Sequence, residues 1–141
     1  MVAYGYARAY RRNAVLTATP GQLVLMLYDG ALGAMAQARE AFGRPATDYS
    51  RFETINRNLI KAQRILSELR GNLDMEAGGE VAKTLQGLYS YHLRRLFEAN
   101  VQKDVAAVEE VERLVRELRD AWEQMLCKSA ATLHEGTQVM A

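Results

Sequence analysis

At 141 residues the chain is long enough to bury the core of one domain. Its charged side chains cancel to a formal net charge of +1, which excludes a strong general attraction to nucleic acid or to an anionic membrane surface. Apolar residues make up 49% of the chain, yet no apolar run reaches the length of a membrane span, and no apolar leader opens the chain. The lone Cys127 has no partner for an internal disulfide, and the expectation is a soluble protein of the reducing cytoplasm.

In chain order, residues 1–18 form an arm that holds Tyr4, Tyr6 and Tyr10 together with Arg8, Arg11 and Arg12. Thr19 opens the first helix: its hydroxyl faces the first turn, Pro20 suits the first helical position, and Gln22 completes a capping box. Val24, Tyr28, Ala31, Met35, Ala38 and Phe42 then follow steps of three and four that keep them on one stripe, until Gly43 and Pro45 stop the helix. A second helix opens at Ser50, or with Asp48 as its cap, and carries Phe52, Ile55, Leu59, Ala62, Leu66, Leu69 and Leu73. After a turn at Gly78-Gly79, a third helix carries Val81, Leu85, Leu88, Tyr89, Leu93, Leu96 and Phe97. Asp104 caps a fourth, with Val108, Val111, Val115, Leu118, Trp122 and Met125 at the same spacing.

Short links between long helices make successive helices antiparallel. The predicted fold is all-α, an up-and-down four-helix bundle over residues 19–127. Residues 128–141 form a weakly patterned tail, either a short fifth helix or a frayed end.

The second and fourth helices have stripes of the width a bundle requires, whereas the first and third exceed it. Stepping about a hundred degrees per residue, the first is apolar from Leu23 and Leu27 round to Leu25 and Leu32, and the third widens through Leu93 to Phe97. The excess is explained by a central placing of those helices, by a homodimer, or by a groove that receives amphipathic helices from a partner. Gly30, Gly33 and Gly87, each inside a helix, are compatible with close backbone approach or with tolerated exposure. The arm reads as a fixed strap across the bundle or as a displaceable plug over the groove.

Catalytic and metal chemistry find no footing. A di-iron bundle needs Glu-x-x-His pairs, but the residues three before His92 and His134 are Tyr89 and Ala131. His92 is expected as a hydrogen-bonded core or groove residue, and Cys127 as an inert, half-buried thiol. There is no phosphate-binding loop and no nucleophile elbow, so neither an enzyme nor a cofactor is expected.

Four blocks carry a family resemblance. They are Tyr4-Gly5-Tyr6-Ala7-Arg8-Ala9-Tyr10, Leu25-Met26-Leu27-Tyr28-Asp29-Gly30-Ala31, the stretch from Asn72 to Asn100, and Leu118-Arg119-Asp120-Ala121-Trp122. In this order they resemble the flagellar secretion chaperone FliS family, over about Tyr4 to Leu126. The resemblance implies a cytoplasmic export chaperone that binds the disordered C-terminal region of flagellin, prevents its premature polymerisation and delivers it to the flagellar type III export apparatus. It also implies that Tyr6 and Tyr10 serve client binding or docking at the export gate protein. Helical geometry adds Leu25, Leu32, Tyr89, Leu93 and Phe97 as expected client contacts, with Tyr28 and Trp122 assigned to the core. Asp29 is expected in a surface salt bridge and Asn72 to Asp74 in helix-end capping, while Arg94 and Arg95 have stems able to cover apolar surface. The rival reading is a self-associating helical-bundle adaptor without client-folding activity.

Overall fold

A computed structural model describes residues 17–140, with side chains as far as residue 131. Four helices follow one another: α1 (Pro20–Phe42), α2 (Arg51–Gly71), α3 (Gly79–Gln102) and α4 (Val105–Met140). They form a closed ring in which α1 packs on α2 and α4, and α3 packs on α2 and α4. This is the expected all-α up-and-down bundle, and no strand occurs among the described residues.

Local chemistry sets the helix ends. The Gln22 amide donates to Thr19 Oγ1 at 3.2 Å and the Thr19 amide donates to Gln22 Oε1 at 3.0 Å, so the capping box is complete. At the start of α2 the carboxylate of Asp48 takes both the backbone and hydroxyl protons of Ser50, and Ser50 itself makes no cap bond. Before α3, Asp74 accepts from the amides of Glu76 and Ala77, and Gly79 turns the chain with a φ of 53°. Lys103 ends α3 in the left-handed region, and Asp104 caps α4 through the Ala106 amide.

The core is asymmetric in side-chain size. Buried alanines 31, 34, 38 and 41 flank Met35 on α1, which lets the larger residues Ile55, Leu59 and Leu66 of α2 and Val108, Val111 and Val115 of α4 approach closely. At the α1–α4 seam a Cβ added to Gly21 would lie 2.6 Å from Leu126 Cδ2, so the glycine admits the crossing of α4. Trp122, half-buried against the core, donates its indole N–H to the Gly21 carbonyl at 2.9 Å.

Three expectations are corrected. The tail is not a fifth helix, because α4 continues unbroken to Met140; Lys128-Ser129-Ala130-Ala131 contains no helix breaker. His92 is fully buried as a core residue, but neither ring nitrogen has a hydrogen-bond partner. Cys127 is exposed rather than half-buried, since it stands on the outer side of α4, off the stripe of Val115 and Trp122.

Candidate functional site

The expected contact residues separate into three groups. Tyr6 and Tyr10 lie outside the described residues. Leu32 and Tyr89, expected at a surface, are core residues with exposures of 8% and 2%. For Tyr89 the reason is a diagonal contact across the ring, where its hydroxyl on α3 and that of Tyr28 on α1 hydrogen-bond to each other inside the bundle; Leu32, one turn on from Tyr28, belongs to the same core cluster. Burial pushes both phenols above their ordinary pKa, so the pair stays neutral and serves as a polar tie between the two diagonal helices. Leu25 is half-buried on α1. Leu93, half-buried, and Phe97, 62% exposed, stand together on the outer side of α3.

Two apolar residues beside them escaped the sequence reading. Phe52, assigned to the core stripe of the second helix, is 55% exposed, and Val101 is 67% exposed. The amide of Asn100 on α3 donates to Asn56 Oδ1 on α2 at 2.8 Å. Phe52 stands one turn before Asn56, and Phe97 and Val101 bracket Asn100, so the three share one flank of the bundle. The available signal was position. Phe52 opens α2 and Val101 closes α3, and an end turn has fewer neighbouring turns to cover it than a middle one.

The flank is held by side-chain hydrogen bonds without an ion pair, Asn56 to Asn100 and the Arg70 guanidinium to the Ser90 hydroxyl at 3.2 Å. Cations collect on it. The Arg51 guanidinium lies 5.2 Å and the Lys103 ammonium 5.9 Å from the Phe52 ring centroid. On α2, Arg51, Arg57, Lys61, Arg64 and Arg70 face only Glu53 and Glu68 in number, and none of the five makes an ion pair among the described residues. On α3, Lys83, Arg94 and Arg95 outnumber Glu80 and Glu98.

The opposite half has the reverse balance. The α1–α4 seam is closed by Arg39 on the nearly buried Glu112 at 2.9 Å and by Arg119 on Asp29 at 2.8 Å, which is the salt bridge expected of Asp29. On the α3–α4 side, Glu110 accepts from Arg95 at 2.8 Å and from the Tyr91 hydroxyl at 2.9 Å, and these bonds hold its carboxyl below the usual range. A shallow groove over α1 and α2 is floored by Gly30, Gly33 and Ala34; a Cβ at Gly33 would meet open space, so exposure rather than close approach accounts for that glycine. No cluster of potential metal ligands occurs among the described residues. No described helix is long and apolar enough to cross a membrane.

The family model described as "Flagellar protein FliS" matches residues 2–129. A flagellar secretion chaperone FliS of Bacillus subtilis is 41% identical over 118 residues, covering 84% of this chain and 84% of the relative. That of Salmonella typhimurium is 39% identical over 126 residues, 89% of this chain and 90% of the relative. That of Escherichia coli is 41% identical over 122 residues, 86% of each.

Proposed function

The chain belongs to the FliS family of flagellar secretion chaperones, and from that premise we propose that it binds the disordered C-terminal region of flagellin in the cytoplasm, blocks its premature polymerisation and hands it to the flagellar export gate. The observation that carries this reading is the α2–α3 flank. Phe52, Phe97 and Val101 are left in water by a bundle whose core is otherwise filled, and Leu93 adds a partly covered rim. Fully burying an aliphatic or aromatic side chain of this size is worth about 1.5–3 kcal/mol. A client helix laid along the flank would gain several such terms and spend part of them on its own ordering.

The binding act needs no catalysis. The client segments that drive filament assembly are made helical on the chaperone and so are withheld from other flagellins. Because ordering the client offsets much of the contact energy, the complex stays strippable at the export gate without a nucleotide on the chaperone. Tyr6 and Tyr10 are assigned to client or gate contact, and Leu25 to the edge of the client surface. Leu32 and Tyr89 act from the core, by holding α1 and α3 in register.

Isothermal titration of the protein with a peptide spanning the C-terminal region of flagellin, followed by circular dichroism of the mixture, tests this. Saturable one-to-one binding with a gain in helix is expected. A folded protein with no heat of binding at high concentration, together with a stable dimer in sedimentation, would replace this reading with the self-associating adaptor.

A further inference from the structure

The charge of the bundle is divided between its halves. Helices α2 and α3 together carry eight Lys and Arg against four Asp and Glu, whereas α1 and α4 carry five against nine. The division follows the apolar flank closely. Stepping about a hundred degrees per residue from Asn56, Arg57 and Arg64 border the exposed face of α2 beyond the Asn56–Asn100 bond. Arg94, one turn before Phe97, borders α3, with 67% of its side chain exposed. The carboxylates nearby offset this border only in part: Arg57, Lys61, Arg64, Arg94 and Arg95 outnumber Glu53, Glu68 and Glu98. Glu53, one turn before Arg57, and Glu68, one turn after Arg64, share that face of α2 without forming an ion pair to either arginine, and Glu98 is divided between Arg94 and Arg95.

We propose that the α2–α3 flank selects amphipathic helices bordered by acidic residues, its apolar floor taking the helix stripe and Arg57, Arg64 and Arg94 taking carboxylates on either side. Other occupants are disfavoured by charge. Residues 1–18 of the chain carry Arg8, Arg11 and Arg12 and no carboxylate, so the arm would bring like charge to this flank. A second copy presenting the same flank would set cations against cations. Only a partner of opposite charge gains both the apolar contact and the ion pairs, and unpaired surface cations steer such a partner from a distance before contact. The inference rests on the α2–α3 flank being the client surface, and adds which clients it prefers.

The test uses two synthetic helices with identical leucine and phenylalanine stripes at i, i+3, i+4 and i+7, one bordered by glutamate and the other by lysine. Each is titrated into the full chain at low and high salt. The glutamate helix is expected to bind roughly tenfold more tightly at low salt, with the preference collapsing as salt screens it. Arg57→Glu/Arg64→Glu, which removes no ion pair of the folded protein, should reverse the preference, with the fold retained and the melting point lowered only slightly by the new like charges one turn from Glu53 and Glu68. Phe97→Ser should abolish binding of the glutamate helix. Equal affinity for the two helices, or a preference that survives the charge reversal, overturns the selectivity. Binding that survives Phe97→Ser overturns the site. The flagellin peptide run alongside separates the two readings. If it binds and the synthetic pair shows no preference, the selectivity fails and the chaperone reading stands. If the glutamate helix binds and flagellin does not, the acidic-helix site stands and the chaperone reading fails.

Discussion

The α1–α4 seam and the α2–α3 flank are built from the same kind of helix and finished in opposite ways. Along the seam, complementary charges meet at Arg39–Glu112 and Arg119–Asp29, and Trp122 and Leu126 close over Gly21. Along the flank, Asn56–Asn100 and Arg70–Ser90 join the helices without charge pairing, and Phe52, Phe97 and Val101 remain in water. A closed seam gains stability from every contact it makes. An open flank holds back contact energy that only a partner can realise. The difference teaches that like helices can close one seam fully and leave apolar side chains in water at another, and the proposed client surface is the second of these.

The sharpest way to break that comparison is to substitute neighbouring residues of α3. Leu96 is fully buried and Phe97 is 62% exposed. Leu96→Asp places an unpaired charge in the core and is expected to cost more than about 4 kcal/mol, read as loss of far-UV helicity. Phe97→Asp is expected to shift stability by no more than about 0.5 kcal/mol while abolishing heat release with the client peptide. Equal damage to folding from both would show that the flank belongs to the core.

A smaller effect is expected at the diagonal. Tyr89→Phe strands the buried Tyr28 hydroxyl and should cost about 1–3 kcal/mol in urea unfolding, with Tyr28→Phe/Tyr89→Phe recovering part of the loss. Recovery identifies the pair as a tie within the interior, distinct from any client contact.

His92 gives a pH signature of the closed interior. Burial holds its imidazole pKa below the ordinary 6.5, opposed in part by Glu110. As pH falls below 6.5 the unfolded chain takes up this proton and the folded chain does not, so stability falls until the folded group also titrates. The slope from this one group is at most about 1.4 kcal/mol per pH unit. Glu110, whose carboxyl is also depressed, adds a loss only below its ordinary 4.5, so the histidine window stands apart. His92→Leu should flatten thermal stability just below pH 6.5, where the unsubstituted chain declines. An unchanged pH profile would mean that the imidazole is already solvated.

The least effect separates seam from flank by their polar ties. Trp122→Phe should lower stability by about 1 kcal/mol through the lost bond to Gly21, while Asn100→Ala should cost less than about 0.5 kcal/mol. Denaturant midpoints measure both, and a reversed order would make the flank the tighter of the two.

Much of this was legible in residue order. The Thr19–Gln22 box, the Gly78-Gly79 turn and the Asp104 cap each act within a few residues, so their chemistry can be read locally. The candidate site was legible only in part. Leu93 and Phe97 were assigned to the outer side of their helix, but Leu32 and Tyr89 were assigned there too, and Phe52 was placed in the core. A stripe wider than the ring requires does not reveal which of its edges the neighbours cover. For His92, periodicity gave burial but not the missing hydrogen bonds, because those depend on the polar groups that distant segments bring within reach.

The sequence by itself determined four antiparallel helices, their caps and their principal stripes, because helix periodicity and capping are properties of residues three or four apart. Tertiary structure decided which side chains the ring seals and which it leaves exposed. It joined Tyr28 to Tyr89 across the diagonal, and it set the two cation-rich helices side by side next to Phe97. Burial and electrostatic potential are sums over neighbours in space, and those neighbours are fixed only when the ring closes.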